Sequence, residues 1–303
     1  MIYRQINLGG IHMIRYSWPI AFLLAGIGAV IANAQDAPFA AFALASPSEL
    51  ANPHDLAFGP DGRLYVADKS GARIAVLDPD TLEIVAMLGE GQFPGIHDIS
   101  FSPDGLAYVS VTGSVQVDVI RITGDTITSV RKVSGFPGSA GVLPHSNGRL
   151  YIMAGGSGEL VAFENDQPVA GFGGLYGALD VAESIDGTLW VAANNQSALV
   201  HLTQDLDLIE VLNGPEFGLR GPRYLDIDEF GRIIVADQDA NRILLIDPLA
   251  PEGSRLLGVL GDGMPGIGPG KFNDPEGVAV RGNSFYFSDT DNDRIVKYSI
   301  VIN

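Results

Sequence analysis

The 303-residue sequence contains no cysteine. This absence excludes disulfides, a thiolate nucleophile, cysteine metal ligands and a lipid-anchored cysteine. Basic residues are also scarce, with 18 Lys and Arg against 36 Asp and Glu and a formal net charge of −18. Such a surface repels phosphate groups, so neither a nucleic-acid partner nor docking on an anionic membrane is expected. A neutral or cationic ligand, or simple solubility, suits this charge better.

Long apolar runs are missing as well, apart from one near the N-terminus. That run, Trp18–Ile31, follows two arginines and is followed by the small-x-small pattern Ala32–Ala34. It is shorter than the ~20 residues that a membrane span needs. Residues 1–34 are therefore predicted to be a signal peptide that is cleaved before Gln35. The mature chain is expected to be extracytoplasmic, periplasmic or secreted, with no membrane span; an uncleaved anchor is the alternative.

One phrase recurs six times in the remaining chain, which is predicted to be a single domain over 35–303. Its first copy is HDLAFGPDGRLYVAD: a short apolar strand, a turn at Asp-Gly, and a second strand with an aromatic residue. The copies cover 54–68, 97–111, 140–154, 179–193, 223–237 and 276–289. A period of about 43 residues with tight turns is typical of β-propellers that have four strands per blade. The repeats predict an all-β, six-bladed propeller.

The last repeat leaves one blade incomplete. The C-terminal repeat supplies three strands of blade six, and the best candidate for a fourth is the segment AAFALAS at 40–46. Pairing the first and last strands in one blade removes exposed strand edges, which otherwise invite aggregation. The propeller is therefore predicted to be closed by an N-terminal strand.

The repeat wording resembles a known family. Residues 272–300 closely resemble the NHL repeat, and 223–247 and 54–78 resemble it well, whereas the middle repeats lack its Asn-Arg-Ile signature. The resemblance implies an NHL-type six-bladed propeller, but it leaves activity open because relatives include interaction modules and enzymes. Among broader relatives, amidating lyases are zinc propellers, and gluconolactonase-like proteins hold a metal in the channel.

Three Asp and Arg pairs, each five residues apart, belong to the signature: Asp68 and Arg73, Asp237 and Arg242, Asp289 and Arg294. Each pair spans the turn between the second and third strands of a blade. A charge-assisted bond between the two side chains fixes such a turn. The pairs are accordingly predicted to be structural.

Chemistry in a propeller is expected at a mouth of the central channel, which the first strand of each blade lines. Counting back from the Gly of each hairpin turn gives six equivalent positions: His54, His97, Ala140, Leu179, Arg223 and Glu276. Because the ring closes, His54, His97 and Glu276 should form one arc. Two imidazoles and a carboxylate are a known metal-binding combination. These three residues are candidate ligands for a divalent metal, zinc, iron or calcium.

Other residues near this arc are candidates for ligand binding. Arg223 can hold a substrate carboxylate through two hydrogen bonds. Asp55 and Asp98 directly follow the two histidines and are expected to orient them as hydrogen-bond acceptors. A His-Asp pair at the start of a strand can also simply cap a loop. A metal site, a metal-free ligand pocket and a purely structural channel therefore all remain open.

Two kinds of function follow from these alternatives. The first is an exported binding module whose loops present a surface to a protein, a peptide or a small-molecule ligand. The alternative is a metal-dependent lyase or lactone hydrolase, with its site at the channel mouth. A structural scaffold of the cell envelope is a third interpretation.

Overall fold

The computed structural model describes residues 39–112, 114–136 and 138–301. They form 24 strands in six four-stranded antiparallel sheets, so the predicted all-β, six-bladed propeller is confirmed. The predicted signal peptide, 1–34, and its cleavage site lie outside these residues. Within the described residues, no helix has the length and apolar character needed to cross a membrane.

Each blade is one sheet whose first strand is innermost. Blade 1 holds β2 (Pro53–Phe58), β3 (Leu64–Asp68), β4 (Arg73–Leu77) and β5 (Ile84–Leu88); blade 2 holds β6 (Ile96–Phe101), β7 (Ala107–Val111), β8 (Gln116–Thr123) and β9 (Thr126–Ser134). Blade 3 holds β10 (Val142–Pro144), β11 (Leu150–Ala154), β12 (Glu159–Glu164) and β13 (Gln167–Gly173); blade 4 holds β14 (Ala178–Glu183), β15 (Leu189–Ala193), β16 (Ala198–Leu202) and β17 (Leu208–Leu212). Blade 5 holds β18 (Pro222–Ile227), β19 (Ile233–Asp237), β20 (Arg242–Ile246) and β21 (Leu256–Leu260); blade 6 holds β22 (Pro275–Arg281), β23 (Ser284–Asp289), β24 (Arg294–Ile300) and β1 (Ala40–Ala45). Single turns of 3₁₀ helix lie at Asn194–Gln196, Gln238–Ala240 and Thr290–Asn292.

The blades pack on one another through the large residue of each second strand. In five blades this residue is aromatic, and in all six it is at most 7% exposed: Tyr65, Tyr108, Tyr151, Trp190, Ile234 and Tyr286. Trp190 of blade 4, for example, shares a hydrophobic cluster with Leu225 and Val235 of blade 5. The aromatic row is therefore part of the core between blades.

The N-terminal strand closes the ring as predicted. β1 pairs with β24 in antiparallel register, with Ala40 opposite Ile300 and Ala45 opposite Val296. Phe39 is fully buried in the cluster shared by blades 5 and 6. Both ends of the described chain thus lie in one sheet, and no blade is left with three strands.

The three Asp and Arg pairs are formed. Nε of the arginine lies 2.7 Å from its carboxylate in Arg73–Asp68 and 2.8 Å in Arg242–Asp237 and Arg294–Asp289. The other carboxylate oxygen accepts backbone N–H groups of the loop that leads into the first strand of the same blade: Ala51 for Asp68, Arg220 and Gly221 for Asp237, and Asn273 for Asp289. Each pair, which we call a staple, therefore fixes both a turn and the approach to the channel.

Candidate functional site

Four of the six equivalent residues lie together at one mouth of the channel. His54, His97, Arg223 and Glu276 are each the second residue of an innermost strand. The register of each strand shifts just after that point. Such bulges re-aim side chains at the end of a ladder, and here Asp55, the residue after His54, contacts the innermost strand of the next blade.

Glu276 connects this group. Its Oε2 lies 2.6 Å from Nδ1 of His54, and its Oε1 lies 3.3 Å from a terminal nitrogen of Arg223. The imidazole rings of His54 and His97 are 4.8 Å apart between centroids. The two histidines and Glu276 are at most 3% exposed, while the side chain of Arg223 is 20% exposed. The structure thus brings the four predicted residues together, with Arg223 nearest to solvent.

Two further residues reach the same place from the turn after the second strand. Lys69 Nζ lies 3.0 Å from Nε2 of His54, and Gln238 Nε2 donates to Oε1 of Glu276 at 3.0 Å. We call His54, Glu276, Arg223, Lys69 and Gln238 the polar mouth. Lys69 and Gln238 occupy the same repeat position, directly after Asp68 and Asp237. Aligning the repeats at that position as well as at the first strand would have identified both from sequence.

Tyr224, which sequence analysis missed, orients His97. Its hydroxyl lies 2.6 Å from Nδ1 of His97 and donates to the backbone carbonyl of His97 at 2.9 Å. A phenol has one proton, so the Nδ1–H of His97 must donate to the tyrosine oxygen. This assignment of the tautomer leaves Nε2 of His97 with its lone pair. Among the described residues the structure records no hydrogen bond at that nitrogen.

Burial controls the charge states in the polar mouth. It lowers the pKa of His54 to about 2, helped by the positive charges of Lys69 and Arg223. Burial also lowers the pKa of Lys69, with Arg223 acting in the same direction and Glu276 in the opposite one. It raises the pKa of Glu276, although Arg223 and Lys69 counteract this. His54 is therefore a neutral imidazole between an amine and a carboxyl group.

His97 is neutral for similar reasons. Burial lowers its pKa well below the usual value, and His54, Arg223 and Lys69 add to the shift.

The predicted metal ligands do not fit a divalent cation in this arrangement. In 39–112, 114–136 and 138–301, no three His, Cys, Asp or Glu side chains are placed to hold a metal ion. Nε2 of His54 already faces Nζ of Lys69 at 3.0 Å and Oδ1 of Asn52 at 3.1 Å, and Nδ1 lies 2.6 Å from Oε2 of Glu276, too close for a metal ion to lie between them. Two cationic side chains beside the imidazole also repel a metal ion.

The expected role of Asp55 and Asp98 as orienting groups is corrected by the structure. Oδ2 of Asp55 accepts the backbone N–H of Ile99 at 3.1 Å, and the carboxyl group of Asp98 accepts that of Val142. Both side chains therefore bind the innermost strand of the next blade. The groups that contact the imidazoles are Asn52, Lys69 and Glu276 for His54, and Tyr224 for His97.

Two more carboxyl groups of innermost strands bridge blades in the same way, and Asp180 occupies the same repeat position as Asp55 and Asp98. Asp180 accepts from the Leu225 N–H at 2.9 Å, and Asp226 accepts from the Val280 N–H at 2.8 Å. Burial raises the pKa of Asp180 to about 7 and that of Asp226 to about 6. These acidic groups therefore connect blades, and their nearest contacts are backbone amides.

A cavity of about 970 Å³ lies away from the polar mouth. It is a groove between β1, the outer strand of blade 5 and the loop at 261–270. Its Arg242 is already bound to Asp237. The polar mouth is the stronger candidate, because buried ionisable groups converge there with specific partners.

Comparison with known proteins supports the architecture. Residues 50–77 match the NHL repeat, which confirms that resemblance for the first blade. No curated protein matches the sequence. Virginiamycin B lyase from Staphylococcus aureus is 13% identical, with a TM-score of 0.58 over 82% of this chain and 95% of that one.

Two further solved structures are similar. The PQQ-bound aldose sugar dehydrogenase from Streptomyces coelicolor is 15% identical, with a TM-score of 0.61 over 86% of this chain and 97% of that chain. An auxiliary nutrient binding protein from Bacteroides thetaiotaomicron is 14% identical, with a TM-score of 0.67 over 82% and 69%. At such identities the likeness shows the fold alone.

Proposed function

We propose that this six-bladed propeller binds a small molecule at the polar mouth, and that the molecule carries a carboxylate. The observation that carries the proposal is the incomplete hydrogen bonding of the Arg223 side chain. Its Nε is buried and has no hydrogen-bond partner among the residues that the structure describes, and its contact with Glu276 is a long 3.3 Å. A guanidinium has five donors in a planar fork that matches a carboxylate. A buried donor without a partner is costly, so a ligand that accepts from it gains affinity.

The net charge of the whole chain favoured a neutral or cationic ligand, but the polar mouth itself carries two cationic side chains. Lys69 and Arg223 are its outermost groups, and their charges face the channel together. Two acidic residues act on these cations, Glu276, which has His54 and Gln238 as neighbours, and the partly exposed Asp274. An anionic group of a ligand is attracted by the two cations and competes with these carboxylates for them.

The opposite side of the same mouth is apolar. At the repeat positions of His54 and Arg223, blades 3 and 4 carry Ala140 and Leu179. A ligand with a carboxylate at one end and a small apolar body fits this division of the mouth. Sites of this kind place a few polar groups within a mostly apolar lining.

Titration calorimetry with the full chain tests the proposal. Small carboxylic acids, from acetate to branched and aromatic acids, and a short peptide with a free C-terminus are the probes. Arg223→Ala is expected to weaken binding of the best probe by at least about tenfold, the effect of losing a charged hydrogen bond. Arg121→Ala, which removes an exposed arginine of blade 2, should leave affinity unchanged. If no probe binds, or if both variants bind as the wild type does, the proposal is wrong.

The sequence also predicted a metal-dependent lyase or lactone hydrolase as an alternative. It remains a prediction, and the contacts of His54 do not favour it. About one equivalent of metal in the untagged wild type, and none in a His54→Ala/His97→Ala variant, would restore it. Export and an extracytoplasmic location likewise stay predictions from residues 1–34.

A further inference from the structure

The three 3₁₀ turns that follow the second strands of blades 4, 5 and 6 share one geometry. The residue before each turn has a φ of −94°, −95° or −97°, and the residue after it is left-handed with a φ of 49°, 48° or 53°. Each turn therefore places its first residue in the same way on its own blade. These first residues are Asn194, Gln238 and Thr290.

The left-handed residue that ends each turn contacts the loop leading into the first strand of the next blade. The pairs are Ser197 with the Arg220 carbonyl at 2.9 Å, Asn241 with the Asp274 N–H at 3.0 Å, and Asp293 with the Asn52 N–H at 2.8 Å. The three turns are thus held against equivalent parts of blades 5, 6 and 1. A residue in one turn faces the same part of the next blade as its equivalents do.

Two of the three first residues bind the next blade at its channel entry. Nε2 of Gln238 donates to Oε1 of Glu276 at 3.0 Å, and Oγ1 of Thr290 donates to the carbonyl of Pro53 at 2.8 Å. Glu276 and Pro53 are the second and the first residue of their strands. Asn194, in the equivalent turn of blade 4, therefore lies at the entry of blade 5.

Asn194 makes no such contact. Its side chain is half-buried, and within the described part of the chain no hydrogen bond to its amide group is recorded. It is one methylene shorter than Gln238, which spans the equivalent distance to Glu276. Arg223, the second residue of the blade 5 strand, has its own unpartnered Nε among these residues. A free amide and an incompletely bonded guanidinium thus occupy one blade entry, where a small group of a ligand can join them.

We infer that Asn194 is a second ligand-binding residue, and that the ligand is a carboxylic acid with a hydroxyl group on the carbon next to the carboxylate. The inference rests on the proposed function, since Arg223 would hold the carboxylate of the same molecule. A gap of one methylene suits a group on that carbon. A hydroxyl group there can donate to the amide oxygen or accept from the amide nitrogen. An amino group would bring a positive charge toward Lys69 and Arg223, which repel it.

A purely structural role for Asn194 is the competing explanation. Its amide would then only shape the turn, as asparagine side chains do in many loops, and its removal would change stability alone. A binding role changes the affinity for one of two acids that differ only by the hydroxyl group. A matched pair of acids therefore separates the two roles.

The experiment is titration calorimetry of the full chain with two matched pairs, propionate with lactate and 3-phenylpropionate with 3-phenyllactate. The better enantiomer of each hydroxy acid is expected to bind about fivefold more tightly than its parent acid, which is the effect of one neutral hydrogen bond. Asn194→Ala should remove this preference and leave the affinity for the parent acid unchanged.

Two further variants test the assignment. Asn195→Ala removes the exposed neighbouring amide and should keep the preference. Asn194→Gln restores the missing methylene, closes the gap as Gln238 does in blade 5, and should remove the preference while the turn is kept. A preference that persists in both Asn194 variants, or that falls equally in Asn195→Ala, would overturn the inference.

The outcomes also separate this inference from the proposed function. Parent acids that bind through Arg223, with no preference for the hydroxy acids in the wild type, would overturn the inference and keep the proposed function. A hydroxyl preference that Asn194→Ala removes, with no effect of Arg223→Ala on any acid, would keep the contact with Asn194 and overturn carboxylate binding. No binding of any of the four acids would overturn both.

Discussion

Blades 5, 6 and 1 are neighbours around the ring, and they hold their loops differently from blades 2, 3 and 4. The first group carries the three staples. In the second group the same aspartate position is occupied by Val111, Ala154 and Ala193. The polar mouth lies wholly on the stapled side. The ionisable side chains of the polar mouth therefore come from the blades whose loops are held by an Asp–Arg pair, whereas blades 2, 3 and 4 have an apolar residue at the aspartate position.

The largest effect is expected from breaking a staple. Asp289→Ala removes a fully buried carboxylate and leaves the guanidinium of Arg294, 8% exposed, without its partner. Leaving one member of a buried ion pair behind costs about 3–5 kcal/mol. Val111→Ala, at the equivalent position of blade 2, should cost only about 1 kcal/mol. Denaturant unfolding of both variants measures the difference, and equal losses would remove the distinction between the two groups of blades.

A smaller effect is expected where the two groups meet, at Asp180 between blades 4 and 5. Its pKa, raised to about 7 by burial, lies well above the usual aspartate value of about 3.9 in an unfolded chain. The stability contributed by its protonated form is complete below pH 4 and is lost as the pH rises through 7. Asp55, Asp98 and Asp226 face the same region of the channel and add to the loss.

Unfolding free energies measured between pH 5 and 8 test this expectation. The wild type should lose about 2–3 kcal/mol through Asp180 over this range. Asp180→Asn cannot ionise, so its stability should depend less on pH, while the exposed control Glu229→Gln should keep the wild-type slope. A wild type that gains stability from pH 5 to 8 would contradict the raised pKa.

The smallest effect is expected at the contact between Tyr224 of blade 5, on the stapled side, and His97 of blade 2. Tyr224→Phe removes the hydroxyl that holds the ring of His97, and the loss of one buried hydrogen bond costs about 1–2 kcal/mol. ¹⁵N NMR should show the His97 ring changing from a single tautomer to a mixture, with the His54 signals unchanged. An unaltered His97 spectrum would mean that something other than Tyr224 fixes the tautomer.

The fold could be predicted because the same pattern of strands and turns recurs in each repeat. A glycine-containing turn recurs in every blade and an aromatic residue in the second strand recurs in five, so an ambiguous strand in one repeat is settled by its equivalents in the others. Closure through residues 40–46 followed from counting strands, since blade 6 was one short. The staples followed from a fixed spacing of five residues across a turn.

The polar mouth was only partly predictable. The positions of His54, His97, Arg223 and Glu276 followed from the periodicity of the first strand. The partners from other blades did not, because they depend on contacts between positions distant in sequence, such as Tyr224 with His97. Asp55 and Asp98 were misplaced for a related reason: a bulge in the strand turns the residue after each histidine toward the neighbouring blade.

The pairing of β1 with β24 has a mechanical consequence. Ala40 and Ile300 face each other, so the two free ends of the strands leave the sheet at the same edge. A force that pulls on both ends therefore loads the hydrogen bonds one after another, as in opening a zipper, and never shares the load among them. A ring that resists heat through the cooperation of six blades should consequently yield to a weak pull on its termini, and blade 6 should be the first to come apart.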